Sequence, residues 1–243
     1  MSVFQFKKFN VVNERSAMKV NTDGVLLGAV MAITPDDRTL LDIGTGTGTI
    51  ALMAAQRLAE TVTEHRPVIH AIDIDEPSAT EAAANFNNSP WTDMLQVHNA
   101  SLDCFAEQNK DFFDLIFSNP PYFDNALQAP EERRNAARHT STGLSYREIL
   151  EFASERLTDN GRVAMVLPAD TESDLTRHAR MCGLHLFRIT RVRTVPRKSP
   201  SRIIAEFFRH RTVTPDDTVL TIQNEGQYTQ EYLSLTKDFY LFA

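Results

Sequence analysis

From about residue 39 onward, short all-apolar runs alternate with stretches whose apolar residues return roughly every three to four positions. Thr39–Ile43 reads as a strand running into a glycine-rich turn, and Thr49–Glu60 (TIALMAAQRLAE) as a helix. Val68–Ile74 reads as a second strand. Pro77 sits early in the next helical stretch, where the N–H it lacks would have no partner anyway. Met94–His98 and Phe112–Phe117 complete four strands, and Ser145–Leu157 has helical spacing, with Gly161 as its stop before a strand at Arg162–Leu167. Asp170 is placed as the cap of a helix reaching Met181, ended by Gly183. Leu184–Val195 and Arg202–Arg211 read as an antiparallel pair around Pro196-Arg197-Lys198-Ser199-Pro200, with the alternation broken near Arg191. Upstream, Gly24–Ile33 reads as a helix capped by Thr22 or Asp23, and Phe4, Phe6 and Phe9 as a packed, alternating segment. Apolar strands separated by helices predict an α/β fold: a mostly parallel sheet wrapped on both faces, with the last pair as an antiparallel edge.

Composition fits a soluble globular chain: 243 residues, 42% apolar and 23% charged. No run approaches the roughly 18 apolar residues of a membrane span, and MSVFQFKKFN has no continuous apolar stretch like a signal peptide. Cys104 and Cys182 lie far apart without a CxxC, so a reducing cytoplasm is expected, with no disulfide framework and no metal site. The net charge of −7 changes the picture only through its distribution. Between Arg188 and Arg211 stand eight basic residues and one acid, Glu206, so this segment carries +7 and the remainder −14. Two explanations stand equal at this point: a nucleic-acid footprint, or a solvated edge hairpin.

The candidate chemistry lies at the ends of the strands. LLDIGTGTG (Leu40–Gly48) puts Asp42 before Gly44, Gly46 and Gly48. An acid there would repel a pyrophosphate but suits a ligand bearing an ammonium or sulfonium, unlike the dinucleotide GxGxxG turn. AIDID ends the second strand with Asp73, placed to accept both hydroxyls of a ribose; Asp75 reads as a helix start. Ser101 follows the third strand, where it can meet an adenine amino group. The fourth strand runs into Asn119-Pro120-Pro121-Tyr122. Two prolines cannot continue a central strand, so the chain stops there with one carboxamide and one ring.

LDIGTGTG, AIDID and NPPY, in that order, resemble the class I S-adenosylmethionine-dependent methyltransferases that act on amino nitrogens. MKVNTDGVLLGA (Met18–Ala29), ARHT (Ala137–Thr140) and LTKDFYL (Leu235–Leu241) resemble the bacterial enzymes that methylate N6 of the adenosine 3′ of the anticodon in a valine tRNA. The resemblance implies a Rossmann-like fold with a seven-stranded sheet and one methyltransferase domain: residues 1–38 covering the cofactor, 39–183 the alternating core, 184–243 the antiparallel hairpin and tail. It implies S-adenosylmethionine held by Thr22, Asp23, Asp42, Gly44, Thr45, Gly46, Gly48, Asp73, Ile74, Ser101 and Asn119. The catalytic corner would be Asn119, Pro120, Pro121 and Tyr122, with the amide and a backbone carbonyl accepting both amino N–H groups and the ring stacking on the base.

A tRNA anticodon stem-loop is the expected partner of a monomer. Arg133, Arg134, Arg138, Arg191, Arg193, Arg197, Lys198 and Arg202 are the expected RNA contacts, and His139 a loop or RNA contact rather than a base. NPPY also serves release-factor glutamine and ribosomal guanine-N2 methylation. Only 39 residues precede Leu40, too few for the helical domain usual in the glutamine enzymes, and the short tail leaves no room for a DNA target-recognition domain. A non-catalytic cofactor- or RNA-binding module is the remaining alternative.

Overall fold

The computed structural model describes residues 2–16, 18–61, 66–121 and 144–243. Within these, the strands are β1 (Val3–Gln5), β2 (Asn10–Val12), β3 (Thr39–Ile43), β4 (Val68–Asp73), β5 (Leu95–Asn99), β6 (Phe113–Ser118), β7 (Leu157–Pro168), β8 (His185–Arg193), β9 (Arg202–Phe208), β10 (Asp216–Thr221), β11 (Gln223–Asn224) and β12 (Gln227–Tyr228). The α-helices are α1 (Thr22–Val30), α2 (Thr49–Glu60), α3 (Glu76–Asn87), α4 (Leu102–Gln108), α5 (Tyr146–Arg156), α6 (Glu172–Met181) and α7 (Gln230–Thr236).

The main sheet runs β10-β8-β9-β7-β6-β3-β4-β5, with β9 antiparallel to both neighbours and all other pairings parallel. The expected mostly parallel sheet with its antiparallel pair is therefore present, and β10 adds an eighth strand to the seven expected. The apolar runs explain the layering, because successive side chains of a strand point to opposite faces. Leu40, Leu115 and Phe117 pack with Val25, Leu26 and Leu52 on one face. Leu41, Ile43 and Ile116 pack with Phe105, Ile149 and Leu150 on the other. Phe6 and Phe9 are buried and stacked 4.5 Å apart, with Phe9 edge-on to Trp91 at 5.7 Å, so the N-terminal aromatics are core.

Several boundaries differ from expectation. Asn21 caps α1, its side chain accepting from Gly24 N at 2.9 Å, so neither Thr22 nor Asp23 is the cap. The helix α5 ends at Arg156, not at Gly161. Gly161 lies inside β7 beside a register shift, where a Cβ would come within 2.6 Å of Phe113 O. Thr171, not Asp170, precedes α6. Gly183 does stop that helix: at φ 75° it lets its own N–H and that of Leu184 return to Arg180 O and Ala179 O. In β8 the irregularity falls between Leu186 and Arg188 rather than near Arg191.

The end of α1 carries a buried ionic cluster. Arg162 Nε donates to Ala32 O at 2.8 Å, and its Nη atoms grip both oxygens of Asp37. Arg57 Nη1 donates to Gly28 O (2.9 Å) and Met31 O (2.8 Å), and Arg188 bridges Val30 O and Glu206. Glu206 Oε2 takes the Ala32 N–H at 2.8 Å. Three guanidinium groups thus satisfy carbonyls that the helix end leaves without partners, where cations are also favoured by the helix dipole.

Candidate active site

Because β8 and β10 run in the same direction as β3, β4 and β6, the C-terminal ends of all five share one sheet edge. In open α/β sheets that edge is where ligands bind. A cavity of about 350 Å³ opens there. Its walls include Gly44, Thr45, Gly46, Asp73, Ile74, Ser101, Asn119 and Pro121 from the sequence-derived set. They also include Met18, Lys19, Asn21, Asp103, Leu144 and Glu148, which the motifs did not pick out as donor contacts.

The glycine loop is shaped by backbone bonds. Gly44 N and Thr45 N both reach Ile72 O, at 2.9 and 3.0 Å, folding the loop over the end of β4. Gly48, at φ 80°, lies outside the cavity lining; a Cβ there would meet the Phe86 ring at 2.4 Å, so this glycine serves helix packing. Asp73 accepts from Gly46 N (2.8 Å) with one oxygen and Asp75 N (2.9 Å) with the other. Each oxygen retains a lone pair for a ribose hydroxyl. Burial raises the Asp73 carboxyl above its ordinary range, against the pull of those two N–H groups.

Asp42 is placed differently from the expectation. It is fully buried, accepts from Thr45 Oγ1 at 2.7 Å, and does not line the cavity. Burial, with Asp73's charge adding to it, pushes its carboxyl up to about 7. A folded pKa above the unfolded value of about 4 favours the protonated native state. Stability from this group is therefore full below about pH 4 and lost as pH rises through about 7. Stability of the ligand-free protein, followed by thermal melts, is expected to drop over that window by on the order of 4 kcal/mol, and Asp42→Asn should flatten the drop. Parallel curves for the two proteins would remove Asp42 as the cause.

Asn119, directly after β6, is almost buried, its Nδ2 donating to Met18 Sδ at 3.4 Å. The preceding Ser118 Oγ is tied to Ile43 O at 2.6 Å, fixing the corner against β3. Pro120 is buried and is not part of the lining. Tyr122, Arg133, Arg134, Arg138, His139 and the ARHT stretch lie outside the described residues. Thr22 and Asp23 are also off the lining. Asp23 instead meets Arg202, 2.8 Å away, joining α1's first turn to the start of β9.

The N-terminal segment is pinned over the loop by α3. Glu81 takes the backbone N–H groups of Glu14, Arg15 and Ser16 at 2.8, 2.7 and 3.2 Å. Asn85, one turn on, bonds Val12 through both amide atoms and also holds Thr47 O. Sequence reasoning missed this pair because both lie on an ordinary-looking helix; only the partners reveal them.

The basic hairpin divides. Arg191 pairs with Glu172 and Asp217, Arg193 bonds Thr221 Oγ1 and Pro196 O, and Arg188 and Arg209 serve the interior. Arg197 and Lys198 are exposed in the β8–β9 turn, on the cavity's edge of the sheet.

Residues 15–179 match the family model described as the methyltransferase small domain. Proteins from Flavobacterium psychrophilum and Haemophilus influenzae, both named tRNA1(Val) (adenine(37)-N6)-methyltransferase, are each 38% identical over 98–99% of this chain and 99% of their own. The chain belongs to that family. A relative of the same name from Flavobacterium johnsoniae is 40% identical over 98% of the chain and 99% of its own length. Solved structures agree in fold. A predicted O-methyltransferase from Agrobacterium tumefaciens superposes with a TM-score of 0.66 at 16% identity, over 89% of this chain and 96% of that one. A methyltransferase from Pyrococcus furiosus gives 0.55 at 22%, over 82% and 89%. Membership of this methyltransferase family makes S-adenosylmethionine the cofactor, and the cavity suits it. Asp73 offers paired acceptors for a ribose, Ile50, Ile72 and Leu102 give apolar wall for a purine, and the lining carboxylates suit a cation. Among the described residues no helix is long and apolar enough to cross a membrane, and no cluster of three metal-ligating side chains occurs.

Proposed function

We propose that this protein methylates N6 of the adenosine beside the anticodon of a valine tRNA, with residues 1–38 acting as the cover of the donor site within one catalytic domain. The observation that carries this reading is that Asn119 and Asp73, from strands on either side of β3, line one cavity. The relatives' printed names support the choice of substrate.

Bound S-adenosylmethionine supplies an electrophilic methyl on a sulfonium. The chain's own work is to bind and aim. Asp73 accepts the ribose hydroxyls, the glycine loop admits the ligand close to the backbone, and Ser101 meets the purine. An adenine amino nitrogen is a weak nucleophile because its lone pair is delocalised into the ring. The Asn119 amide oxygen and the Pro120 carbonyl each accept one of its N–H groups, drawing the nitrogen toward a tetrahedral shape with its lone pair outward. Their strength as acceptors comes from being fixed beforehand, by Pro120, Pro121 and the Ser118–Ile43 tie. Tyr122 stacks on the base. After transfer the nitrogen releases its extra proton to solvent, so no base, metal or covalent intermediate is needed. An anticodon loop suits such a corner because its bases are easily splayed out.

Mass spectrometry of individual tRNAs from cells with and without the protein tests the substrate. Loss of one N6-methyladenosine from valine tRNA is expected. Unchanged tRNAs with an unmethylated release factor would overturn it. For the RNA surface, Arg197→Ala and Lys198→Ala should each weaken tRNA binding and lower the slope of log affinity against log salt by about one, leaving donor binding alone. An unaltered slope would take the turn out of the interface.

A further inference from the structure

We propose that the thioether of Met18 sets which way round the Asn119 carboxamide stands, making Met18 a positioning residue for methyl transfer. The inference rests on the Asn119 amide oxygen being an acceptor for the reacting amine. It concerns the orientation of that amide and not the binding of the donor.

A carboxamide has two unlike ends of nearly the same shape: the oxygen accepts and the nitrogen donates. An exocyclic amine presents N–H donors to the corner, so only the oxygen end serves it. Turned by half a rotation, the amide would set N–H against N–H. The end of β6 fixes where the Asn119 backbone stands, but it does not choose between the two ends, because exchanging them is a rotation about the last bond of the side chain. That choice comes from what touches the amide.

Met18 makes the choice by its chemistry. Asn119 Nδ2 donates to Met18 Sδ at 3.4 Å. A thioether has no hydrogen to give, so it matches the nitrogen end of the amide and not the oxygen. Asn119 is 7% exposed, a setting in which an amide N–H needs an acceptor from the protein. A weak acceptor therefore suffices to bias the rotation.

The sulfur is held at that point by its own backbone. Met18 O accepts from Ser16 Oγ at 3.1 Å. Ser16 in turn is fastened to α3: its N–H donates to Glu81 at 3.2 Å, and its hydroxyl lies 3.1 Å from that of Ser78. On the other side, Ser118 ties the base of the corner to Ile43 O. Met18 is 37% exposed and packs in neither hydrophobic cluster, so its contact with the amide is not a by-product of core burial.

Single-turnover rates on tRNA, with donor and tRNA affinities measured alongside, test this on the full chain. Met18→Leu keeps the bulk of the side chain and removes the acceptor. It is expected to lower the rate by about three- to tenfold, the range of one neutral hydrogen bond, with both affinities little changed. Met18→Gln, whose carbonyl can accept in place of the sulfur, should recover most of the rate. In Asn119→Asp the two ends of the side chain are equivalent and no orientation is left to set, so adding Met18→Leu to that variant should cost no further rate. The amide also reports without turnover. Its side-chain N–H pair, identified in a proton–nitrogen correlation spectrum as the one missing from Asn119→Asp, should shift and exchange faster with solvent in Met18→Leu; if Asn119→Asp is too slow to assay, these signals decide alone. An unchanged rate, or unchanged amide signals, in Met18→Leu would overturn the proposal. So would a matching loss of donor affinity, or an equal further loss in the Asn119→Asp background, either of which would make Met18 a plain wall of the cavity. Wild-type turnover in Asn119→Ala would instead sink the mechanism on which this inference rests.

Discussion

Asn119→Ala is expected to lower kcat by about a hundredfold or more while the Kd for S-adenosylmethionine changes little. The asymmetry follows from where the carboxamide sits. It follows β6 directly at the cavity wall, almost buried, on a corner tied by Ser118 to β3. An acceptor fixed in that way stabilises the developing tetrahedral nitrogen without having to reorganise, and removing one such polar partner costs on the order of 3 kcal/mol in comparable sites. Donor binding relies chiefly on other residues, Asp73 and the glycine loop foremost. Asn119→Asp is the sharper variant: its oxygens still accept, so a loss comparable to that of alanine would mean that the amide's Nδ2 bond to Met18, not its oxygen, is what matters. Single-turnover rates and donor affinity measured side by side decide the matter. Wild-type turnover in Asn119→Ala would exclude the residue from the chemistry.

Arg162→Ala is expected to destabilise the fold by about 3–5 kcal/mol, the cost of leaving a buried charge without its partner. Arg162 and Asp37 are both buried, and the guanidinium spans Asp37 and Ala32 O at once. Lys at this position should rescue little, since an ammonium cannot reproduce that planar fork. Removing Asp37 together with Arg162 should recover part of the loss, because no lone charge then remains. The functional echo lies at the other end of α1, where Asn21 and Gly24 line the cavity. Donor affinity is therefore expected to fall along with stability. Urea denaturation of the three variants measures the first effect; a single-mutant cost below about 1 kcal/mol would show that the cluster is not holding the helix.

The strands nearest the cavity were legible because burial on both faces leaves no freedom in their composition. Leu40, Leu41 and Ile43 must be apolar to lie in the middle of a sheet covered on both faces, and the buried Asp42 among them is the exception, held by Thr45. The hairpin of β8 and β9 was legible for a different reason, the two prolines that bracket its turn. Beyond Arg211 the pattern failed. β10 lies at the sheet edge with Asp216 to Val219 exposed, so its sequence, DDTVLT, carries little of the apolar signal of an inner strand. Boundaries such as the cap of α1 also escaped, since Asn21, Thr22 and Asp23 are all good capping types and only side-chain geometry separates them.

The amino-acid sequence by itself determined the layered sheet, the glycine turn, and the strand-end positions of Asp73, Ser101 and Asn119, because strand ends and sharp turns are set by local chemistry. Tertiary structure alone decided which polar groups face the ligand and which face the protein. Asp42 turned inward to Thr45, Gly48 against Phe86, and Arg188, Arg191, Arg193 and Arg202 onto carboxylates, carbonyls and a hydroxyl of their own chain. The reason is physical: a charge count along the chain records no distances. Whether an arginine is available to RNA or already satisfied depends on what the fold brings within about 3 Å of it.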